Sequence, residues 1–427
     1  MRIFLFLLFL LFSFITKAQK GMSLEDCINY AYEHSPIVKQ STINLEKSDN
    51  SLERSKKAFF PTISTGFSQG LNSGRSIDPF TNDFVQRTIA SNSYSVGSNL
   101  AIFNGFANKY QIELNEQNFA TSKLEIERVK FDLGNNVTIA YMNVLMAQEL
   151  EQFNTENKEL LKVELARVLA LVKEGQLPKT DIIDMNARMA SLDYEITSAQ
   201  QAIKNSKLSL ARLMYFNDFE QLSIKSIPLN RDSFKTQPEN KLIAIQKLPA
   251  YKIAFQGLQN ANIAMKLAQT EKLPSVSLNV GLGTGYSSVA ANETPYFNQI
   301  GRNFNQSGRL SINFPIFTNG QIKYKTQEAK LDKLIAESQI NQTRFELTQE
   351  VQEAILLVEA AQAKYKSAII QLEAQNASLN AAKERFFEGL INSIELNTVQ
   401  QAVNKANSDL IISKYEYYFR GLVLERY

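Results

Sequence analysis

The sequence predicts a mainly α-helical protein with a β-barrel portion, in which one unit of helix, two strands and a long helical hairpin is written twice. Three observations carry that prediction. Two very long stretches are almost free of glycine and proline and place apolar residues at helical spacing. Four short stretches alternate apolar with small polar residues. Landmarks recur in one order at an offset of 213 or 214 positions.

Pro36 after His34-Ser35 matches Pro249 after Lys247-Leu248, and Phe60-Pro61 matches Leu273-Pro274, both at 213. Ile102-Phe103 before Asn104-Gly105 matches Ile316-Phe317 before Thr318-Asn319-Gly320, and Glu174-Gly175 matches Glu388-Gly389, both at 214. The repeat divides the chain into a first unit, 19–215, a linking segment, 216–240, and a second unit, 241–427. Each unit opens with a helix, 23–60 or about 240–273. From 321 to 388 there is no glycine or proline, a stretch that would run about 100 Å as one helix. Its counterpart, 106–174, contains Gly134 as its only breaker. Helical patterning resumes around Asp181 and Ser393, so each half holds a long antiparallel hairpin with its tip at 175–180 or 389–393.

The four alternating stretches are 61–70, 94–102, 274–283 and 309–316. One face holds residues such as Ile63, Phe67, Tyr94, Val96, Leu100, Ile102, Val276, Leu278, Leu310 and Ile312. The other is small and polar, with Arg309 its only charge across all four. A sheet over a dry core would expose more charge on its polar face. This pattern suits lipid outside and water inside. Four strands cannot close a barrel and lipid does not tolerate open edges, so chains must share one. Three chains give twelve strands.

Composition excludes several function classes. Lys+Arg 46 against Asp+Glu 43 leaves a net +3, without the concentrated positive face of a nucleic-acid binder. A single cysteine rules out an intramolecular disulfide or a cysteine metal cage, and a single histidine rules out a His-pair metal site. His34 has no nameable acid–base partner. The chain therefore reads as a non-enzyme without cofactor.

Residues 1–18 combine Arg2, an apolar run from Ile3 to Ile15 and the small residue Ala18. The run is short of the roughly 20 residues that span a bilayer, which favours a cleaved secretory signal over an anchor. Cys27 lies well past that run behind two acidic residues, so it reads as a buried helix cysteine rather than a lipid anchor.

With the duplicated order and these local patterns, the mature chain resembles the TolC family of outer-membrane factors. The resemblance implies a homotrimer with a twelve-stranded β-barrel in the outer membrane and a periplasmic α-helical barrel. It implies a passive exit duct that docks through a periplasmic adaptor onto an inner-membrane pump, for efflux or type I secretion. Segments 71–93 and 284–308 would be external loops, and 216–240 part of the family's equatorial region. The family gates its periplasmic end with carboxylates six and nine residues past the second-tip glycine. Those places hold Glu395 and Thr398, with Asp181 and Asp184 after Gly175. Asp181 is equally explained as a helix-start carboxylate. The family's latching arginine, two residues past the second-tip glycine, is replaced by Ile391. The tips, Gly175 with Leu177 and Gly389 with Leu390 and Ile391, resemble adaptor-contact sites, and the same glycines serve as helix C-caps. Arg309 would face the lumen. The competing reading is a periplasmic or surface coiled-coil protein without a pore, which would not need the alternating strands.

Overall fold

The computed structural model describes residues 21–78, 82, 84–227, 244–290 and 294–427. The expected signal segment 1–18 lies outside the described residues, as does 228–240 of the linking segment.

The first half opens with α1 (Leu24–His34) and α2 (Pro36–Lys56), followed by a short 3₁₀ turn, Lys57–Phe59. A single helix over 23–60 was expected. Pro36 divides it, because a residue before proline is driven out of the helical region, and Ser35 sits at ψ 122. Pro36 then starts α2, where its missing N–H costs nothing. At the start of α1, Ser23 Oγ accepts from the Asp26 N–H at 3.2 Å and the Ser23 N–H donates to Asp26 Oδ2 at 2.9 Å. The Ser23 hydroxyl, which also donates to Asp26 Oδ2 at 2.7 Å, and then the Ser23 N–H hold the Asp26 carboxyl below its ordinary pKa. The second half repeats the device: Leu248, at ψ 140, precedes Pro249, which opens α5 (Pro249–Thr270).

The long helices are α3 (Ala107–Lys173) and α7 (Gln321–Phe387), 67 residues each. The shorter returns are α4 (Thr180–Met214) and α8 (Ser393–Arg426). Gly134 does not interrupt α3. It makes room for close approach: an added Cβ would lie 2.3 Å from Arg426 Nη1 and 2.6 Å from the Tyr32 hydroxyl.

Four strands form one antiparallel sheet in the order β1 (Thr62–Asn72), β4 (Ile89–Asn104), β5 (Ser275–Ser287), β6 (Asn305–Asn313). A small ribbon, β2 (Arg75–Ile77) with β3 (Phe84–Gln86), occupies the first loop, and α6 (Tyr296–Arg302) the second. Cross-strand partners share a face, so the register decides whether the alternation survives across strands. It does. Thr62, Asn99, Asn279 and Arg309 form one polar row, and Ser64, Gly97, Gly281 and Ser307 the next. On the opposite face, Leu100, Leu278 and Leu310 form one row, and Phe67 and Tyr94 stand in another.

The strands differ from the sequence reading at several places, and β1 and β5 run on to Asn72 and Ser287. β4 begins at Ile89 rather than 94, inside the segment assigned to a loop. A bulge between Ala101 and Phe103 displaces Ile102, so Phe103 stands opposite Val276 on the apolar face. β6 runs over Asn305–Asn313 instead of 309–316, and Pro315, which has no N–H to donate, lies just past its end.

The chain forms two compact units, each drawing on both halves of the repeat. One gathers residues up to 42, 125–252 and 343–427. Its interior includes a cluster around Cys27, Val137, Tyr141, Leu210 and Met214, and another around Val351, Val358, Tyr417 and Leu424. Two further clusters run along the hairpins: Leu161 and Val168 with Met185 and Leu192, and Leu379 and Ala382 with Leu396 and Val403. Leu161/Val168, Met185/Leu192 and Leu396/Val403 are each seven apart, the coiled-coil repeat. The other unit, 43–124 and 253–342, contains the sheet and the helix segments that lead into it. There, polar side chains join the helices: Ser48 Oγ meets Ser122 Oγ at 2.7 Å, and Asn260 Nδ2 donates to Asn118 Oδ1 at 3.0 Å.

Candidate gate, docking tips and lumen wall

Both hairpin tips are built by one motif. The Gly175 N–H donates to Val172 O at 3.1 Å and the Gln176 N–H to Leu171 O at 2.9 Å. The Gly389 N–H donates to Phe386 O at 3.1 Å and the Leu390 N–H to Arg385 O at 2.9 Å. This is the Schellman cap, and it needs a left-handed residue. Gly175 and Gly389 both supply φ +76.

The tips differ in what they present. Leu390 is 67% exposed. Leu177 and Ile391, which as contact residues at a tip would be exposed, are instead half-buried against their hairpin clusters. The chain folds back over these side chains because each completes the apolar seam at the end of its coiled coil. Ile394 and Ile183 join Leu390 as exposed apolar residues close to the tips in sequence.

The carboxylates also diverge. Asp181 and Glu395 hold equivalent places in the repeat, yet Asp181 is buried and Glu395 exposed. The Ser393 hydroxyl lies 3.1 Å from Asp181 Oδ1 and 3.4 Å from Asp184 Oδ2, bridging the second hairpin to the first. The Asp181 carboxylate is therefore engaged within the chain, whereas that of Glu395, among the described residues, is not. Asp181 accepts a bond between hairpins. Glu395 stands in the first turn of α8, its N–H donating to Asn392 Oδ1 at 2.9 Å in an N-cap. Its own carboxylate is left to solvent.

Two residues at this place escaped sequence reasoning, Ser393 and Arg188. Arg188 is half-buried on α4, and burial lowers its pKa, while Glu164 and Asp184 favour its charged form. The i, i+4 spacing from Asp184 to Arg188 was the available signal.

On the sheet, Arg309 closes the polar row with Asn279 and Asn99, whose amides meet at 2.6 Å. Thr62, Ser64, Asn99, Asn279 and Arg309 line a hollow of about 590 Å³. Among the described residues, no group of His, Cys, Asp and Glu could hold a metal ion. Among them too, no helix is long and apolar enough to cross a membrane.

Comparison with known proteins agrees with this arrangement. The TolC protein of Escherichia coli K12 is 21% identical over 300 residues, which cover 67% of this chain and 59% of TolC. The outer membrane efflux protein BepC of Brucella suis is 18% identical over 408 residues, 93% of this chain and 85% of BepC. Among solved structures, VceC of Vibrio cholerae aligns with a TM-score of 0.78 at 14% identity, covering 94% of this chain and 95% of VceC. CmeC of Campylobacter jejuni aligns at 0.77 and 18% identity, covering 94% and 84%. The family model for outer membrane efflux proteins matches residues 27–214 and 244–420. The chain belongs to the outer membrane efflux protein family.

Proposed function

We propose that this chain is the outer-membrane exit duct of an efflux or type I secretion system. It passes substrates from an inner-membrane pump, through a periplasmic adaptor, to the outside. Three copies close a twelve-stranded barrel in the outer membrane, and their helical hairpins form the periplasmic tube. The observation that carries this reading is the sheet. Its alternation runs in register across all four strands, while β1 and β6 each keep one edge unpaired among the described residues. A face of exposed Ile63, Phe67, Leu310 and Ile312 is costly in water and favourable in lipid, and the open edges must pair in a bilayer. The chain acts by conducting rather than by catalysis.

Within this duct, Arg309 lines the lumen and Glu395 supplies a ring of three carboxylates at the periplasmic end. The Asp181–Ser393–Asp184 bridge ties neighbouring hairpins, in the absence of the arginine that Ile391 replaces. Leu390 is the tip residue offered to the adaptor. Native mass measurement in detergent tests the assembly and should return three chains. A stable monomer overturns the reading. A coiled-coil protein without a pore has no use for the in-register lipid face, and nothing favours it.

A further inference from the structure

Beyond β6, β5 continues as an edge. β6 pairs with β5 only up to Gly283, and among the described residues Thr284–Ser287 have no strand on that side. The helix α6 covers them. Gln299 acts as a substitute strand: its amide accepts from the Ser287 N–H at 2.9 Å and donates to Ser287 O at 3.1 Å. Asn303 Nδ2 donates to Gly285 O at 2.8 Å. Side chains thereby take up edge groups of Gly285 and Ser287 that a further strand would otherwise pair.

The same helix also reaches onto the apolar face. Asn92, Tyr94, Thr284 and Tyr286 belong to apolar-face rows, because Phe67 pairs Tyr94, Tyr94 pairs Thr284 and Asn92 pairs Tyr286. Tyr296 of α6 meets three of them. Its hydroxyl is 2.8 Å from that of Tyr94, the Asn92 amide donates to it at 3.3 Å, and its ring lies 4.7 Å from Tyr286. Phe297, packed edge-on against Tyr296, is 84% exposed. Among the described residues, nothing covers it.

The position of this cluster along the strand is informative. From the Val276 row to the Tyr286 row is ten residues along β5, about 33 Å of strand. A tilt of about 45° reduces that to roughly 23 Å of depth, close to the apolar band of a membrane barrel. Rings with satisfied hydroxyls at one end of such a band match a boundary where one side is hydrocarbon and the other wet.

We propose that α6 is an interfacial anchor, seating Phe297 at the boundary between headgroups and acyl chains of the outer leaflet, with the Tyr94–Tyr286–Tyr296 cluster bracing it. The inference rests on the reading that the apolar sheet face meets lipid, and it names the lipid surface as partner of a helix inside a segment assigned to an external loop.

The chain contains no tryptophan, so a single introduced one reports its own surroundings. Phe297→Trp replaces an exposed ring by another, and Val280→Trp places the probe in the middle of the apolar face. Each trimer is reconstituted in phosphatidylcholine vesicles whose acyl chains carry bromine either near the headgroup or near the chain end. Phe297→Trp should show emission shifted to shorter wavelength and a greater loss of intensity with the shallow label than with the deep one. Val280→Trp should be quenched more by the deep label. If Val280→Trp responds so while Phe297→Trp emits as in water and is quenched by iodide, or responds more to the deep label, the anchor is refuted and the lipid-facing sheet stands. If neither responds to brominated lipid, both readings fall.

Discussion

Asp181 and Glu395 differ by one neighbour, and that neighbour decides what each carboxylate does. Ser393 reaches Asp181 because it stands at the first turn of α8, directly after the Asn392 cap. Replacing it by alanine leaves a buried carboxylate without its donor, at a cost of about 1–3 kcal/mol. Ser393→Ala should therefore speed amide exchange at both tips, and unchanged exchange would mean the bridge holds nothing. If Glu395 forms the proposed ring, Glu395→Gln should reduce cation selectivity and divalent block in single-channel recordings, because three carboxylates brought together concentrate cations and salt screens them. The effect should exceed that of Asp181→Asn, whose carboxylate is already engaged. Cys27 gives a pH prediction. Burial raises its thiol to about 12, with the neighbouring Asp26 adding to the rise. The folded state therefore favours the neutral thiol. Its contribution to stability is complete below the unfolded thiol's pKa and is lost as pH rises from there toward about 12. Denaturation midpoints of wild type should fall more steeply than those of Cys27→Ala across that window, and maleimide should label Cys27 only after unfolding.

At the scale of the element, the hairpins are coiled coils closed by caps, so interior and tip should respond differently to substitution. Leu210 is fully buried where α4 meets the cluster around Cys27 and Tyr141. Leu210→Ala should cost about 2–5 kcal/mol, read as a shifted denaturation midpoint. Leu390 is exposed, so Leu390→Asp should leave the trimer and its melting unchanged while abolishing export, and full export would remove the tip from the docking surface. Asn392→Ala removes the side-chain cap of α8 and should cost about 1 kcal/mol. α4 has Lys179 at its N-cap position and no side-chain cap bond, so α8 is the return helix whose start depends on one side chain.

The whole molecule joins two kinds of stability. The helical regions contain their own apolar clusters within one chain. The sheet has an exposed apolar face and, among the described residues, two open edges. Folding of the sheet should therefore require assembly, while the helices do not. Trimers dispersed to monomers in detergent should keep most of their helical circular-dichroism signal, and protease should then cut within 62–104 and 275–313. Protection of those segments in the monomer would contradict a shared barrel.

The sequence by itself determined the repeat, the long hairpins and the two-faced strands, because each follows from local periodicity. An offset of 213 or 214 places Pro36 and Pro249 at equivalent helix starts, and Gly175 and Gly389 at equivalent caps. The bulge at Ile102 was not legible, since its residue fits the alternation and only the pairing of Phe103 with Val276 exposes the slip. The burial of Leu177 and Ile391 depended on seams that form only when two helices meet. The Asp181–Ser393 bridge joins residues 212 positions apart; the repeat matches Asp181 with Glu395, but equivalence in a repeat does not say which residues touch. Only the tertiary structure, by bringing the two hairpin starts together, could decide which carboxylate is tied and which is left free.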